Sequence, residues 1–140
     1  MAGGLRILGR RQGIAAAMQA LALGGMLALG GAAAADDAAE AGKAQFVAAC
    51  GTCHTVGKGE PNRIGPNLAG IIGRKAGSVE TFKYSAALKG ADFVWDDASL
   101  DAWMEDAQAF RPGTTMSYRQ RDPDKRKRLL AYLKSLSGTP

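Results

Sequence analysis

Apolar residues along this chain recur at helical rather than alternating spacing. From Ala38 to Cys50 the segment AAEAGKAQFVAAC is rich in helix formers, and Phe46, Val47 and Cys50 share one face at i, i+1, i+4 spacing. A helix over 38–50 is expected. A second follows Ser99, read as its N-cap: Leu100, Trp103, Met104 and Ala107 keep the helical period until Arg111-Pro112-Gly113 breaks it. The last helix has strong end signals, with Asp122 as N-cap, Pro123 in the first position and Gly138 past the end. Leu129, Leu133 and Leu136 line its inner face, with Tyr132 alongside. Residues 57–77 are rich in glycine and proline and read mostly as loop, within which NLAGIIG has room for one helical turn. No strand pair and no internal repeat is visible. The expected fold is all-α, with three main helices, short turns and long loops.

The first thirty-five residues do not read as part of that domain. Arg6, Arg10 and Arg11 make a basic start, an uncharged Ala/Leu/Gly-rich stretch follows, and AAAA precedes Asp36 and Asp37. This is the pattern of a secretory signal, with a basic region, an apolar region and a small-residue cleavage site. The expected division is a signal peptide at 1–35, cut near Ala35, and one domain at 36–140 exported to the periplasm. The alternative is an uncleaved membrane anchor, since about twenty apolar residues span a bilayer. The A-x-A pattern and the Gly/Ala-rich composition favour cleavage.

Cleavage changes the charge. The whole chain has 18 Lys and Arg against 13 Asp and Glu, a formal +5. Three of the bases and none of the acids precede residue 36, which leaves fifteen against thirteen, or +2. A nucleic-acid partner is not indicated. The charge is segregated, however: residues 92–106 hold six acids and no base, and residues 111–134 hold eight bases and two acids. Such runs are commonly solvated faces, and they can also orient a docking partner. About a hundred residues in short helices and long loops make a thin core, which a large flat apolar cofactor would complete.

Both cysteines and the one histidine of the chain stand together in CGTCHTVGKG: Cys50, Cys53 and His54. An exported pair of cysteines often forms a disulfide, but a redox C-x-x-C usually sits on a βαβ pattern that this chain lacks. Structural zinc wants four Cys or His ligands, and three exist here. C-x-x-C-H is the attachment signature of haem c. Cys50 and Cys53 lie one helical turn apart, so two thioether bonds can form from one short segment, and His54 follows at once as the proximal iron ligand.

The sixth iron position can be open, for catalysis or gas binding, or closed by a side chain. No second histidine exists, and two methionines follow residue 35. Met104 lies inside a helix and reads as core filler. Met116 follows RPGTT, whose Pro-Gly turn can project a loop residue inward, and is the better axial ligand. A His/Met pair raises the reduction potential and leaves no open site. The rival reading is a haem peroxidase or ligand-binding protein with an open sixth site.

From Gly42 to Ser137 the chain resembles a class I cytochrome c of the mitochondrial-like bacterial, c2, type. CGTCHTVGKG, GPNLAGIIGRKAG, FKYSAALKG, VW, RPGTTM and LLAYLKSLSG each match a motif of that family, in family order and spacing. The resemblance implies one covalent haem c on Cys50 and Cys53, with His54 and Met116 on the iron. It implies that the Pro66 carbonyl accepts from the His54 ring, and that Arg74, Tyr84, Ser85 and Trp95 contact the haem propionates. Gly42 and Phe46 match the crossing of the first helix with Leu129 and Tyr132 on the last. The function implied is single-electron transfer in respiration or photosynthesis by a monomer. Its partners are transient redox proteins such as membrane electron-transfer complexes, with no small-molecule substrate. Three departures stand out. Trp103 replaces a tyrosine beside the methionine sulfur, Leu88 replaces an asparagine, and Gln108, Ala109 and Thr115 replace lysines around the haem edge.

Overall fold

The computed structural model describes Met1 and residues 30–138, and the packed unit begins at Ala32. Among the described residues five helices follow in order: α1 Gly30–Ala49, α2 Ala86–Lys89, α3 Asp97–Glu105, α4 Ala107–Phe110 and α5 Pro123–Ser135. The fold is all-α. Among the described residues the only extended pairing is an isolated antiparallel bridge between Lys75 and Val94. The basic and apolar stretch read as a signal lies mostly outside the described residues. Among those described, no helix is long and apolar enough to cross a membrane.

α1 extends further toward the N-terminus than the expected 38–50, through the alanines and aspartates before it. It meets α5 at a close crossing. A Cβ at Gly42 would overlap the Arg128 carbonyl oxygen and lie 2.7 Å from its carbon and 2.9 Å from Tyr132 Cβ. Only glycine lets the two backbones approach so closely. One turn on, Phe46 is buried and tilts against Tyr132 with ring centroids 5.5 Å apart.

α3 begins earlier than Ser99. Asp96 is the N-cap, its carboxylate accepting from Ser99 N at 2.7 Å, and Ser99 Oγ accepts from Asp96 N at 2.8 Å. This is a reciprocal capping box with Ser99 in the N3 place, so the serine seals the helix start from inside. The helix also stops sooner than its apolar period suggests. Asp106 turns the chain, then caps α4 through Gln108 N and Ala109 N, both at 3.1 Å. α5 starts as expected, with Asp122 accepting from Asp124 N and Lys125 N and with Pro123 in the first turn. NLAGIIG forms no helix. It makes two successive tight turns, Ile71 N to Leu68 O and Arg74 N to Ile71 O, both 3.1 Å.

The core gathers Phe46, Ile71, Leu88, Trp95, Leu100, Trp103, Met104, Leu129 and Leu133. Trp95 and Trp103 meet edge to face at 5.2 Å, and Phe93 and Phe110 pack on Trp95 at 4.8 and 6.3 Å. α3 is pinned to α5 by Arg126, which is 7% exposed. Its guanidinium reaches Asp101 through Nε at 2.9 Å and Nη2 at 3.3 Å, and donates to the carbonyls of Gln120 and Arg121 at 2.9 and 3.2 Å. A buried charge is tolerated only when its donors are matched in this way.

Candidate functional site

Cys50 closes the end of α1 and Cys53 ends the turn after it. The backbone carries them there through Cys53 N to Cys50 O at 3.0 Å and His54 N to Cys50 O at 2.9 Å. Both thiols are half-buried and unbonded to each other. Burial, and secondarily the neighbouring Cys53, push the Cys50 thiol up to about 11.

The His54 ring is fixed on two sides. Its Nδ1 bonds the Pro66 carbonyl oxygen at 2.8 Å. A carbonyl only accepts, so Nδ1 carries the proton and Nε2 keeps its lone pair. Against the ring lies Gly65, where a Cβ would come within 2.6 Å of Nδ1 and 2.7 Å of Nε2. Burial lowers the histidine pKa, and the Pro66 bond partly opposes that shift. The neutral form is thus favoured, which is the form that ligates metals.

The loop bearing Gly65 and Pro66 is itself held by Asn67. Its amide nitrogen donates to Thr55 Oγ1 at 2.8 Å and to the Gly57 carbonyl at 2.9 Å. Asn67 and Gly65 are absent from the residues expected at the site, although both stand in the GPN triplet beside Pro66. Their role depends on contacts across twelve residues of chain, which spacing alone does not reveal.

Arg74 lies against Trp95 and near Tyr84, and Ser85 follows Tyr84 in sequence. Trp95 N bonds Arg74 O at 2.9 Å, beside the Lys75–Val94 bridge. The Arg74 guanidinium donates to Ala69 O at 3.0 Å and Asn67 O at 2.9 Å. Desolvation lowers its pKa, and the nearby Tyr84 hydroxyl counteracts that. Burial in turn raises Tyr84. Ser85 stands at the N-cap of α2 yet makes no capping bond, and its hydroxyl is buried without any partner. A buried hydroxyl without a partner is costly. An acidic group of a cofactor would supply that partner, so this buried donor fits the chemistry of a haem propionate.

Met116 sits in the loop between α4 and α5, half-buried against the core, with its Sδ 3.1 Å from Trp103 Nε1. The indole N–H donates and the sulfur accepts. Met104 is 6% exposed within the apolar core. Two of the arginines near the loop are engaged. Arg119 pairs with Asp106, and Arg111 Nε donates to Ala87 O at 3.0 Å. The described residues therefore offer two thiols, an imidazole, a thioether and a buried hydroxyl without a partner.

Together this fold and this donor set define a protein that carries a covalently attached haem. The family model described as cytochrome c matches residues 39–137, and the chain belongs to that family. It is 41% identical over 96 residues to a cytochrome c of Stellaria longipes, covering 68% of this chain and 89% of that protein. It is 41% identical over 95 residues to a cytochrome c2 of Rhodoplanes tepidamans, covering 67% of this chain and 88% of that one. A cytochrome c homolog of Bradyrhizobium diazoefficiens is 42% identical over 93 residues, 65% of this chain and 50% of that protein. The chain is accordingly a haem electron-transfer protein, a carrier and not an enzyme, with covalent haem c on its C-x-x-C-H cysteines.

Proposed function

We propose that this protein is a periplasmic single-electron shuttle whose haem iron is held by His54 and Met116. Cys50 and Cys53 bind the haem covalently, and Arg74, Tyr84, Ser85 and Trp95 receive its propionates. A haem in this setting supplies one-electron chemistry between Fe(III) and Fe(II). The side chains do the rest. Pro66 holds the His54 ring in one tautomer and one plane, which keeps Nε2 available as a ligand. Trp103 orients the Met116 thioether through one lone pair and leaves the other for the metal. The apolar wall of Trp95, Trp103, Leu88 and Ile71 excludes water, so little solvent needs to reorganise when charge changes.

The observation that carries this reading is the bond between Trp103 Nε1 and Met116 Sδ at 3.1 Å. A sulfur already oriented from the core side favours a closed sixth position over an open one. The partners are transient redox proteins such as membrane electron-transfer complexes. Residues 1–35 act as a secretory signal removed near Ala35.

The test is made on protein matured and exported by its host. A pyridine haemochrome assay is expected to give one covalent haem per chain, and the oxidised protein is expected to be low-spin and unmoved by azide. A high-spin spectrum that changes with azide would favour the peroxidase or ligand-binding alternative. N-terminal sequencing is expected to begin near Asp36, and a start at Met1 would refute cleavage.

A further inference from the structure

Residues 111–121 form no helix or strand, so their backbone groups must find partners outside regular structure. Two of their carbonyls find the same partner. Gln108 Nε2 lies 2.7 Å from Thr114 O and 2.9 Å from Met116 O. Both facing atoms are acceptors, so the carboxamide must turn its NH2 toward them, and its two hydrogens serve one carbonyl each. Gln108 projects from the first turn of α4, whose start is tied down by Asp106 through Gln108 N and Ala109 N. The carboxamide therefore reaches the loop from a fixed base.

Other contacts hold the rest of the segment. Ala107 N bonds Tyr118 O at 3.4 Å, Gln120 N bonds Met104 O at 2.8 Å, and Arg119 pairs with Asp106. Trp103 touches the Met116 sulfur from the core. Among these side chains Gln108 alone bonds the carbonyl of Met116. A displacement of the loop backbone at Met116 would break both Gln108 bonds. The indole bond can be lost by a change of side-chain rotamer, whereas the Gln108 bonds hold the backbone.

We propose that Gln108 is a positioning residue that latches the Met116 loop shut and so controls how readily an outside ligand replaces the methionine. This role rests on Met116 being the axial ligand. Gln108→Glu keeps the shape of the side chain and replaces both donors with acceptors, and Gln108→Leu removes polarity altogether. Neither changes a residue proposed to ligate the iron or to receive a propionate.

The experiment is an imidazole titration of the oxidised holoprotein, read by loss of the methionine-to-iron charge-transfer band. Wild type, the two Gln108 variants and Lys134→Leu are compared. The last removes an exposed ion pair with Asp97, 2.6 Å long, on the opposite terminus of α5 from the loop. Both Gln108 variants are expected to bind imidazole about tenfold more tightly than wild type, equivalent to about 1.4 kcal/mol. Lys134→Leu is expected to leave imidazole affinity unchanged, because it removes only an exposed ion pair away from the loop, worth at most about 1 kcal/mol of stability. Unchanged imidazole affinity in both Gln108 variants, with the band present in wild type, would overturn the latch alone. Absence of the band in wild type would instead overturn Met116 ligation, and the latch with it.

Discussion

Trp103→Phe removes the indole N–H that reaches Met116 Sδ at 3.1 Å but keeps a flat ring in a site that is 6% exposed. The donor draws electron density from the sulfur and weakens its donation to iron, which favours the reduced state. Losing it should therefore lower the reduction potential. A net hydrogen bond is worth about 1 kcal/mol, and tenfold in a one-electron equilibrium is about 59 mV. If the whole bond distinguished the two oxidation states, the potential would fall by about 40 mV. Part of the bond survives in both states, so the expected fall is about 10–40 mV. The smaller ring also loses packing against Trp95 at 5.2 Å and Phe110 at 6.1 Å, which costs about 1–3 kcal/mol of stability. Spectroelectrochemical titration at fixed pH and salt reads the change in potential, and the denaturant midpoint of the same variant reads the packing loss. An unchanged or higher potential, with the methionine band intact, would refute the reasoning.

Gly42→Ala places a Cβ against the Arg128 carbonyl and Tyr132, so α1 and α5 must separate. Overpacking costs about 1–3 kcal/mol and the gain in helix propensity is at most about 1 kcal/mol; the denaturant midpoint of the holoprotein should fall, and an equal or higher midpoint would contradict the close crossing. The cap carboxylates Asp96, Asp106 and Asp122 are all held below the usual value, chiefly by the Ser99 hydroxyl, Ala109 N–H and Lys125 N–H respectively. Their folded values lie below the unfolded one, near 4, so their contribution is present above about pH 4 and is lost as pH falls through the depressed values. Urea midpoints from pH 7 to 3 should drop less steeply at the acid end for Asp122→Asn than for wild type, and identical slopes would remove Asp122 from this effect. At the alkaline end, residues 108–121 contain no lysine, only Arg111, Arg119 and Arg121, and arginine stays protonated. The methionine band of the oxidised protein should persist to higher pH than in a relative with lysines in this loop, and its loss at the same pH through a lysine ligand would contradict that expectation.

Local chemistry made parts of this fold legible from sequence. The start of α5 could be read because Asp122 and Pro123 act on neighbouring backbone groups. The start of α3 is not legible from sequence, because Ser99 is as good a cap in isolation as Asp96, and only the reciprocal bond between them tells cap from N3. The break at Asp106 is hidden in the sequence because Ala107, fully buried, keeps the apolar period across it. α2 is a single turn of four residues, too short for any periodicity. At the site, C-x-x-C-H identifies the cofactor because the residues are contiguous. The contacts of Gly65 on the His54 ring and of Gln108 on Met116 O are set by tertiary packing. A glycine before a proline and a glutamine in a helical turn carry no mark of either role.

The most direct test of His54/Met116 ligation is the optical spectrum of oxidised Met116→Ala and Met104→Leu holoproteins side by side. Met116→Ala is expected to lose the methionine-to-iron charge-transfer band, and Met104→Leu to retain it. Retention of the band in Met116→Ala together with its loss in Met104→Leu would contradict the assignment and place the iron ligand on α3.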